Sequence, residues 1–271
     1  MERFELTRIC FDGSTQSFNQ FKKITIMAIQ DLEKAFLKSY NIHDFDVPLT
    51  SVDMAIFTIR EQQLQVLLIK RAQHPALGQW ALPGGFINQS KDESLDDTAH
   101  RKLKEKTGVD TPYLEQVATF GGAKRDPRGW SVTIAYFALI SSDEITLNGD
   151  ESSEEVLWVP VKEIGSKYEL AFDHQTILET CYKRLKGKVQ YTSLPVNLLQ
   201  NEFTLTELQN TFEIVLEKSV EKKSFRRRIL DADILEETGS MRTGSNRPAK
   251  LYKIKSGSES HFFNRNIEGT R

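Results

Sequence analysis

Between Ala81 and Val109 the chain reads ALPGGFINQSKDESLDDTAHRKLKEKTGV, and this stretch limits the possible folds more than any other. Pro83-Gly84-Gly85 marks a tight turn. A helix is expected over 94–107, and Gly108 is a good stop for it, because glycine enters a left-handed backbone without steric cost. Just upstream, SVDMAIFTI and LQVLLIKR are apolar runs rich in β-branched residues, joined by the polar REQQ, which reads as a hairpin. Strand-like runs follow at YLEQVATF, WSVTIAYFALI and EEVLWVP, and then a helix around HQTILETCYKRLK. Strands and helices mixed in this order predict an α/β domain over 46–188.

The rest of the composition mostly excludes. The chain has 271 residues, enough for two domains, with the hydrophobic and charged fractions of an ordinary soluble protein. No run of about 18 apolar residues occurs, so a membrane partner is not expected, and the first thirty residues lack the apolar core of a signal peptide. Cys10 and Cys181 lie far apart without metal spacing, which makes the cytoplasm the expected compartment. Residues 1–45 are weakly patterned apart from a short helical stretch around IQDLEKAFLKSY. Met27 is an alternative start, and no function is assigned there.

Charge is distributed unevenly. Net charge is −2, yet residues 218–255 hold 11 Lys/Arg against 5 Asp/Glu, a local +6 that leaves −8 elsewhere. An acidic body with a basic C-terminal region suggests nucleic acid. GKVQYTSLPVNLL leads into this second unit, expected over 195–265. Thr204 and Glu207 fit a capping box, and Leu205, Leu208, Phe212 and Val215 recur at helical spacing. A second helix is expected over about 224–235 with Ser224 as its N-cap, which puts Arg226, Arg227 and Arg228 in its first turn. Cations there oppose the helix dipole, so an anionic partner would explain them. MRTGSNRPAKLYKI reads as two short strands around a Gly-Ser-Asn turn. Helix, basic helix and basic hairpin give the order of a winged helix-turn-helix. Its DNA-contacting residues are expected to be Lys223, Ser224, Arg226, Arg227, Arg228, Arg242, Arg247 and Lys250.

Positions 102, 105 and 106 fall at i, i+3 and i+4, on one helix face. Three carboxylates there would hold magnesium, which wants oxygen ligands and bridges to phosphates. The match of Gly85, Glu93, Arg101, Leu103, Glu105, Gly108 and Val109 resembles the Nudix box of enzymes that cleave nucleoside diphosphates linked to another moiety. Where that family has glutamates this chain has Lys102 and Lys106, and its loop from Gly85 to Glu93 is two residues longer. The face thus changes formally from −3 to +1, and protonated lysines repel a divalent cation. No catalytic residue and no metal ligand are therefore assigned; magnesium would enter only with residual hydrolysis. Binding survives such a change, since lysine can neutralise a pyrophosphate in place of the metal. RDPRGW before a strand is similar to segments of ADP-ribose-type Nudix proteins and of the regulators derived from them, and LAFDH at 170–174 is a further likeness. His174 is read as a hydrogen-bonded structural residue. The expected effector contacts are Arg101, Lys102, Glu105, Lys106, Arg125 and Arg128.

The whole of residues 45–265 resembles the Nudix-related transcriptional regulators of NAD metabolism. The resemblance implies a Nudix-like α/β/α sandwich followed by a small winged helix-turn-helix domain. It also implies a homodimer that represses genes of NAD synthesis or salvage and responds to ADP-ribose or a related phosphorylated ribose. Two other readings stay open. One is an active Nudix pyrophosphatase, in which Asp92, Asp96 or Asp97 assists Glu93 and Glu105. The other is a pentose-responsive regulator of the same architecture.

Overall fold

Side chains alternate between the two faces of a strand, and along β1 (Leu49–Arg60) both faces are apolar. Val52, Met54 and Ile56 enter one core, while Ala55 and Phe57 enter another. A strand buried on both sides belongs inside a sandwich. The structure, a computed structural model describing residues 15–110, 113–142, 153–243 and 248–267, has that arrangement. The strands are β1, β2 (Gln63–Arg71), β3 (Trp80–Ala81), β4 (Gly84–Phe86), β5 (Tyr113–Gly122), β6 (Ser131–Leu139) and β7 (Ser153–Pro160). They form one mixed sheet in the order β3-β2-β1-β6-β5, with β4 also paired to β1 and β7 to β2. β1 runs parallel to β6 and antiparallel to β2. The β1–β2 hairpin turns through Glu61 and Gln62, both left-handed (φ 51° and 58°), which matches the twist of the strands they join.

Helix α2 (Leu95–Thr107) covers one face of the sheet through Ala99 and Leu103. Its start is fixed by a reciprocal cap: Asp97 N–H donates to Ser94 Oγ (3.1 Å), and Ser94 N–H donates to the Asp97 carboxylate (2.8 Å). It stops where Gly108 turns left-handed (φ 72°). Helix α3 (His174–Val189) covers the other face with Ile177, Leu178, Cys181 and Leu185.

A short 3-10 turn (Leu194–Leu198) leads to α4 (Leu205–Leu216), whose capping box between Thr204 and Glu207 is present as the sequence predicts. Next come α5 (Lys222–Asp231), β8 (Leu235–Arg242) and β9 (Ala249–Ile254), the last two paired antiparallel. Two expectations need correction here. The N-cap of α5 is Glu221, not Ser224: its carboxylate accepts from both Lys223 N–H (3.0 Å) and Ser224 N–H (2.6 Å). A charged acceptor spanning two free amides outcompetes a hydroxyl serving one. The three arginines therefore occupy the fifth to seventh helical positions, where the dipole no longer penalises them. The helix also ends at Asp231, since Asp233 turns left-handed (φ 53°) to bury Ile234.

The basic unit is not tethered to the sheet domain by a loose linker. Phe225 and Ile229 of α5, Leu208, Phe212 and Val215 of α4, and Phe57 and Val66 of the sheet belong to one hydrophobic cluster. Phe212 and Phe225 meet edge to face with ring centres 5.2 Å apart. Residues 48–271 accordingly form one compact unit, and residues 1–47 form another. In the latter, α1 (Thr15–Ser39) is longer than the helical stretch expected around residues 29–40. Among the described residues no helix is long and apolar enough to cross a membrane.

Candidate functional site

The β1–β4 pairing brings the Pro-Gly-Gly turn against the sheet. A Cβ on Gly84 would meet Asp53 Oδ1 at 2.2 Å, and one on Gly85 would meet Lys102 Cε at 2.7 Å. Gly84 is thus required by close approach, since its Cβ would also meet the Val52 carbonyl at 2.5 Å, whereas at Gly85 the end of the flexible Lys102 side chain lies across the turn. Beside it opens a cavity of about 730 Å³ lined by the ends of β1 and β2, the 82–90 loop, α2 and the loop around Arg125. Arg71, Arg101, Lys102, Arg125 and Arg128 face it with Asp53 and Asp126, an excess of three positive charges. Two of these cations lie on aromatic rings, Arg128 over Phe86 (5.0 Å) and Arg71 over Phe172 (4.9 Å). Such a lining suits an anion that also carries a flat ring.

Of the acids near α2, Glu93 is exposed, whereas Asp92, Asp96, Asp97 and Glu105 are already engaged. Asp92, its side chain 1% exposed, accepts from Arg101 Nε (2.7 Å), Asn88 N–H (2.8 Å) and Thr98 Oγ1 (2.9 Å). The Arg101 guanidinium holds its carboxyl well below the usual carboxylate range. Asp96 accepts from Tyr136 (2.7 Å), and Asp97 caps the helix. The two oxygens of Glu105 each take a cation, Arg101 Nη1 at 3.2 Å and Lys102 Nζ at 2.8 Å. Magnesium needs free carboxylate oxygens, so this donor set does not fit the ion that the Nudix box would hold.

Of the six expected effector contacts, Arg101, Lys102, Arg125 and Arg128 line the cavity. Glu105 stands behind Lys102, outside the lining. Lys106 is turned into the protein and is 1% exposed. At about 100° per residue, position 106 lies about 40° from Lys102 but also about 60° from the core residue Leu103, and packing drew it inward. Arg125 is no solvated turn residue either. It donates to both Asp173 oxygens (3.0 and 2.9 Å) and to Ser131 Oγ (3.2 Å), and its side chain is 10% exposed. Next to it, buried His174 accepts the Leu82 N–H on Nδ1 (2.9 Å), which leaves Nε2 as the protonated nitrogen. Burial lowers its pKa, partly offset by Asp53 at 3.8 Å, so the ring stays neutral. Asp53, Arg71, Phe86 and Phe172 were not among the expected contacts, although each lies in a stretch quoted above, because strand and turn patterns carry no sign of which side chains will face a cavity.

In the basic unit, Lys223 and Arg227 are exposed on α5, and Ser224 is half-buried. The others are held within the chain. Arg226 donates to Thr206 Oγ1 (3.0 Å), Arg228 to the Asn266 carbonyl, and Arg242 to Glu207 (2.6 Å) and the Glu202 carbonyl (3.0 Å). Lys250 pairs with Glu237 (2.9 Å) on the wing surface, where such pairs exchange cheaply for a phosphate. Arg247 lies outside the described residues.

A Nudix-type sandwich with a cationic cavity in place of a metal site, packed on a winged helix-turn-helix, defines the class of Nudix-related transcriptional regulators. The NUDIX domain model matches residues 49–181, and the model of the NrtR DNA-binding winged helix domain matches residues 195–254. The chain is 50% identical to the ADPR responsive transcriptional repressor NtrR of Acinetobacter baylyi over 224 residues, 82% of this chain and 88% of the relative. The crystal structure of Shewanella oneidensis NrtR complexed with a 27mer DNA is 46% identical, with a TM-score of 0.75 over 81% of this chain and 99% of that one. The NUDIX domain of the same protein complexed with ADP ribose is 45% identical, with a TM-score of 0.53 over 56% of this chain and 98% of that one. The chain belongs to the NrtR family.

Proposed function

We propose that this chain is an ADP-ribose-responsive transcriptional repressor of genes for NAD synthesis or salvage, acting in the cytoplasm as a homodimer on double-stranded DNA. The observation that carries the reading is the cavity lined by Arg101, Lys102, Arg125 and Arg128, with Glu105 behind it holding Arg101 and Lys102 in place, a set of fixed cations suited to a pyrophosphate. Lys102, Arg125 and Arg128 are the contacts for the phosphates, and Phe86 or Phe172 offers a face for the adenine. Arg101 acts from its Asp92 clamp, and Glu105 positions Lys102. Lys223 and Arg227 lead the DNA contacts, and Arg226, Arg228, Arg242 and Lys250 reach phosphates by exchanging partners. Two half-sites about one helical turn apart require two copies.

The cavity and the DNA-binding unit share a lever. Asp173, the residue preceding α3, grips Arg125 at the cavity, and Lys186 near the other end of α3 grips Glu217 of the helix-turn-helix (2.7 Å). An anionic ligand competes with Asp173 for Arg125, and a shift of α3 is felt at α4. The test is fluorescence anisotropy of labelled DNA from upstream of the gene and its neighbours, with scrambled DNA as control, with and without ADP-ribose. Specific binding that ADP-ribose weakens is the expected result. Specific binding that a pentose phosphate weakens instead would move the effector, and magnesium-dependent cleavage of ADP-ribose at enzyme-like rates would overturn the reading.

A further inference from the structure

Past β9 the chain continues over residues 255–267, beyond the residues matched by the winged-helix model, and the core fixes its path. Phe263 and Ile267 are 8% and 3% exposed. Phe263 N–H donates to the Tyr191 carbonyl (2.7 Å), Ile267 N–H to that of Gln190 (2.6 Å) and Ser193 N–H to that of His261 (2.9 Å). The segment is thereby held beside the face of α5 that carries Ser224, Arg227, Arg228 and Asp231 at i, i+3, i+4 and i+7. Between them lies an open cleft of about 290 Å³, to which the segment contributes His261 and Arg265. Arg228 reaches across it to the Asn266 carbonyl. Three guanidiniums thus meet with Asp231 as the one carboxylate among the described lining residues. Burial and the nearby Arg265 and Arg227 loosen the hold of Arg228 on its proton, as crowding of like charges requires.

We infer that this cleft is a DNA backbone-phosphate site, in which Arg265 of the C-terminal segment and Arg227 of α5 hold one phosphate beside the recognition face. The inference rests on the DNA-binding reading above and adds to it a segment outside the winged-helix domain. A guanidinium fork matches two phosphate oxygens, and an anion relieves the repulsion among the three arginines. Such a contact positions the protein on the duplex without reading its sequence.

The test uses the full chain and its Arg265→Gln and Arg265→Lys variants, with operator and scrambled DNA, between about 50 and 200 mM salt. Arg265 is exposed, so both variants should keep the wild-type Tm and the wild-type response to ADP-ribose. Arg265→Gln is expected to weaken both DNAs by the same factor and to reduce the slope of log K against log salt by about 0.9, one phosphate contact. Arg265→Lys should restore the slope. An unchanged slope in Arg265→Gln would overturn the inference, as would a loss confined to the operator. Stabilisation of the wild type, but not of Arg265→Gln, by inorganic phosphate with no change in DNA slope would assign the cleft to a free anion and overturn it as well. If the wild type itself binds no DNA, the broader reading fails instead.

Discussion

Glu217 carries a charged contact between α3 and the helix-turn-helix, beside the apolar core they share, and it sits in a conformation that glycine prefers. Its backbone is left-handed (φ 57°) at the C-cap of α4, and its carboxylate takes Lys186 at 2.7 Å and Lys162 at 3.4 Å. The Lys186 ammonium holds its pKa below the usual glutamate value. A left-handed non-glycine residue costs about 1–2 kcal/mol. The ion pairs, with side chains a third or more exposed, return about 0.5–1 kcal/mol in total. Glu217→Gly should therefore leave stability within about 1 kcal/mol of wild type, the relief of strain offsetting the lost pairs. Coupling should respond differently, because the charged link between α3 and α4 is gone. The factor by which ADP-ribose weakens DNA binding is expected to shrink about three- to fivefold, the equivalent of about 0.6–1 kcal/mol. The assay measures the DNA Kd with and without saturating ADP-ribose, and the ADP-ribose Kd with and without operator. Linkage requires the two ratios to agree. A variant that keeps its Tm and the full wild-type ratio would refute the lever, and transmission would then run through the apolar core alone.

Arg125→Met should cost about 2–4 kcal/mol, because Asp173 loses its bidentate partner while Asp53 stays buried, and should abolish ADP-ribose binding; denaturant melts and calorimetry measure the two effects. The pKa of His174 is lowered on folding, so the unfolded chain binds more protons just below the ordinary histidine value. Stability from this group is then full above about pH 6.5 and is lost as pH falls from there toward the folded pKa. A Tm that rises on going from pH 5 to pH 7, with a smaller rise in His174→Gln, is the expected pattern. Phe225→Ala removes a ring from the shared core and should cost about 3–5 kcal/mol. Tryptophan fluorescence of the Nudix domain and far-UV circular dichroism should still report one coincident transition in that variant, and two separated transitions would mean that the domains melt independently.

What the sequence determined by itself was local. The hairpin at REQQ, the Pro-Gly-Gly turn, the stop at Gly108 and the capping box at Thr204 each depend on neighbours a few residues apart, so their chemistry is written in one stretch of chain. The lysines at positions 102 and 106, where the Nudix box has glutamates, are of this kind too. The tertiary structure decided where the surviving charges point. Arg125 finds Asp173 across 48 residues, and Arg242 finds Glu207 across 35. Periodicity put Lys106 between two helix faces, and only packing against the sheet turned it inward. Ser224 had the right chemistry for an N-cap, but the chain entered α5 three residues earlier, where Glu221 could serve two amides. Arg265 carries no local signal at all; its place beside Arg227 follows from Phe263 and Ile267 being drawn into the core. Caps and turns are settled by local sterics and hydrogen bonds, whereas a charged side chain on a helix or loop takes its partner from whatever the folded core brings near.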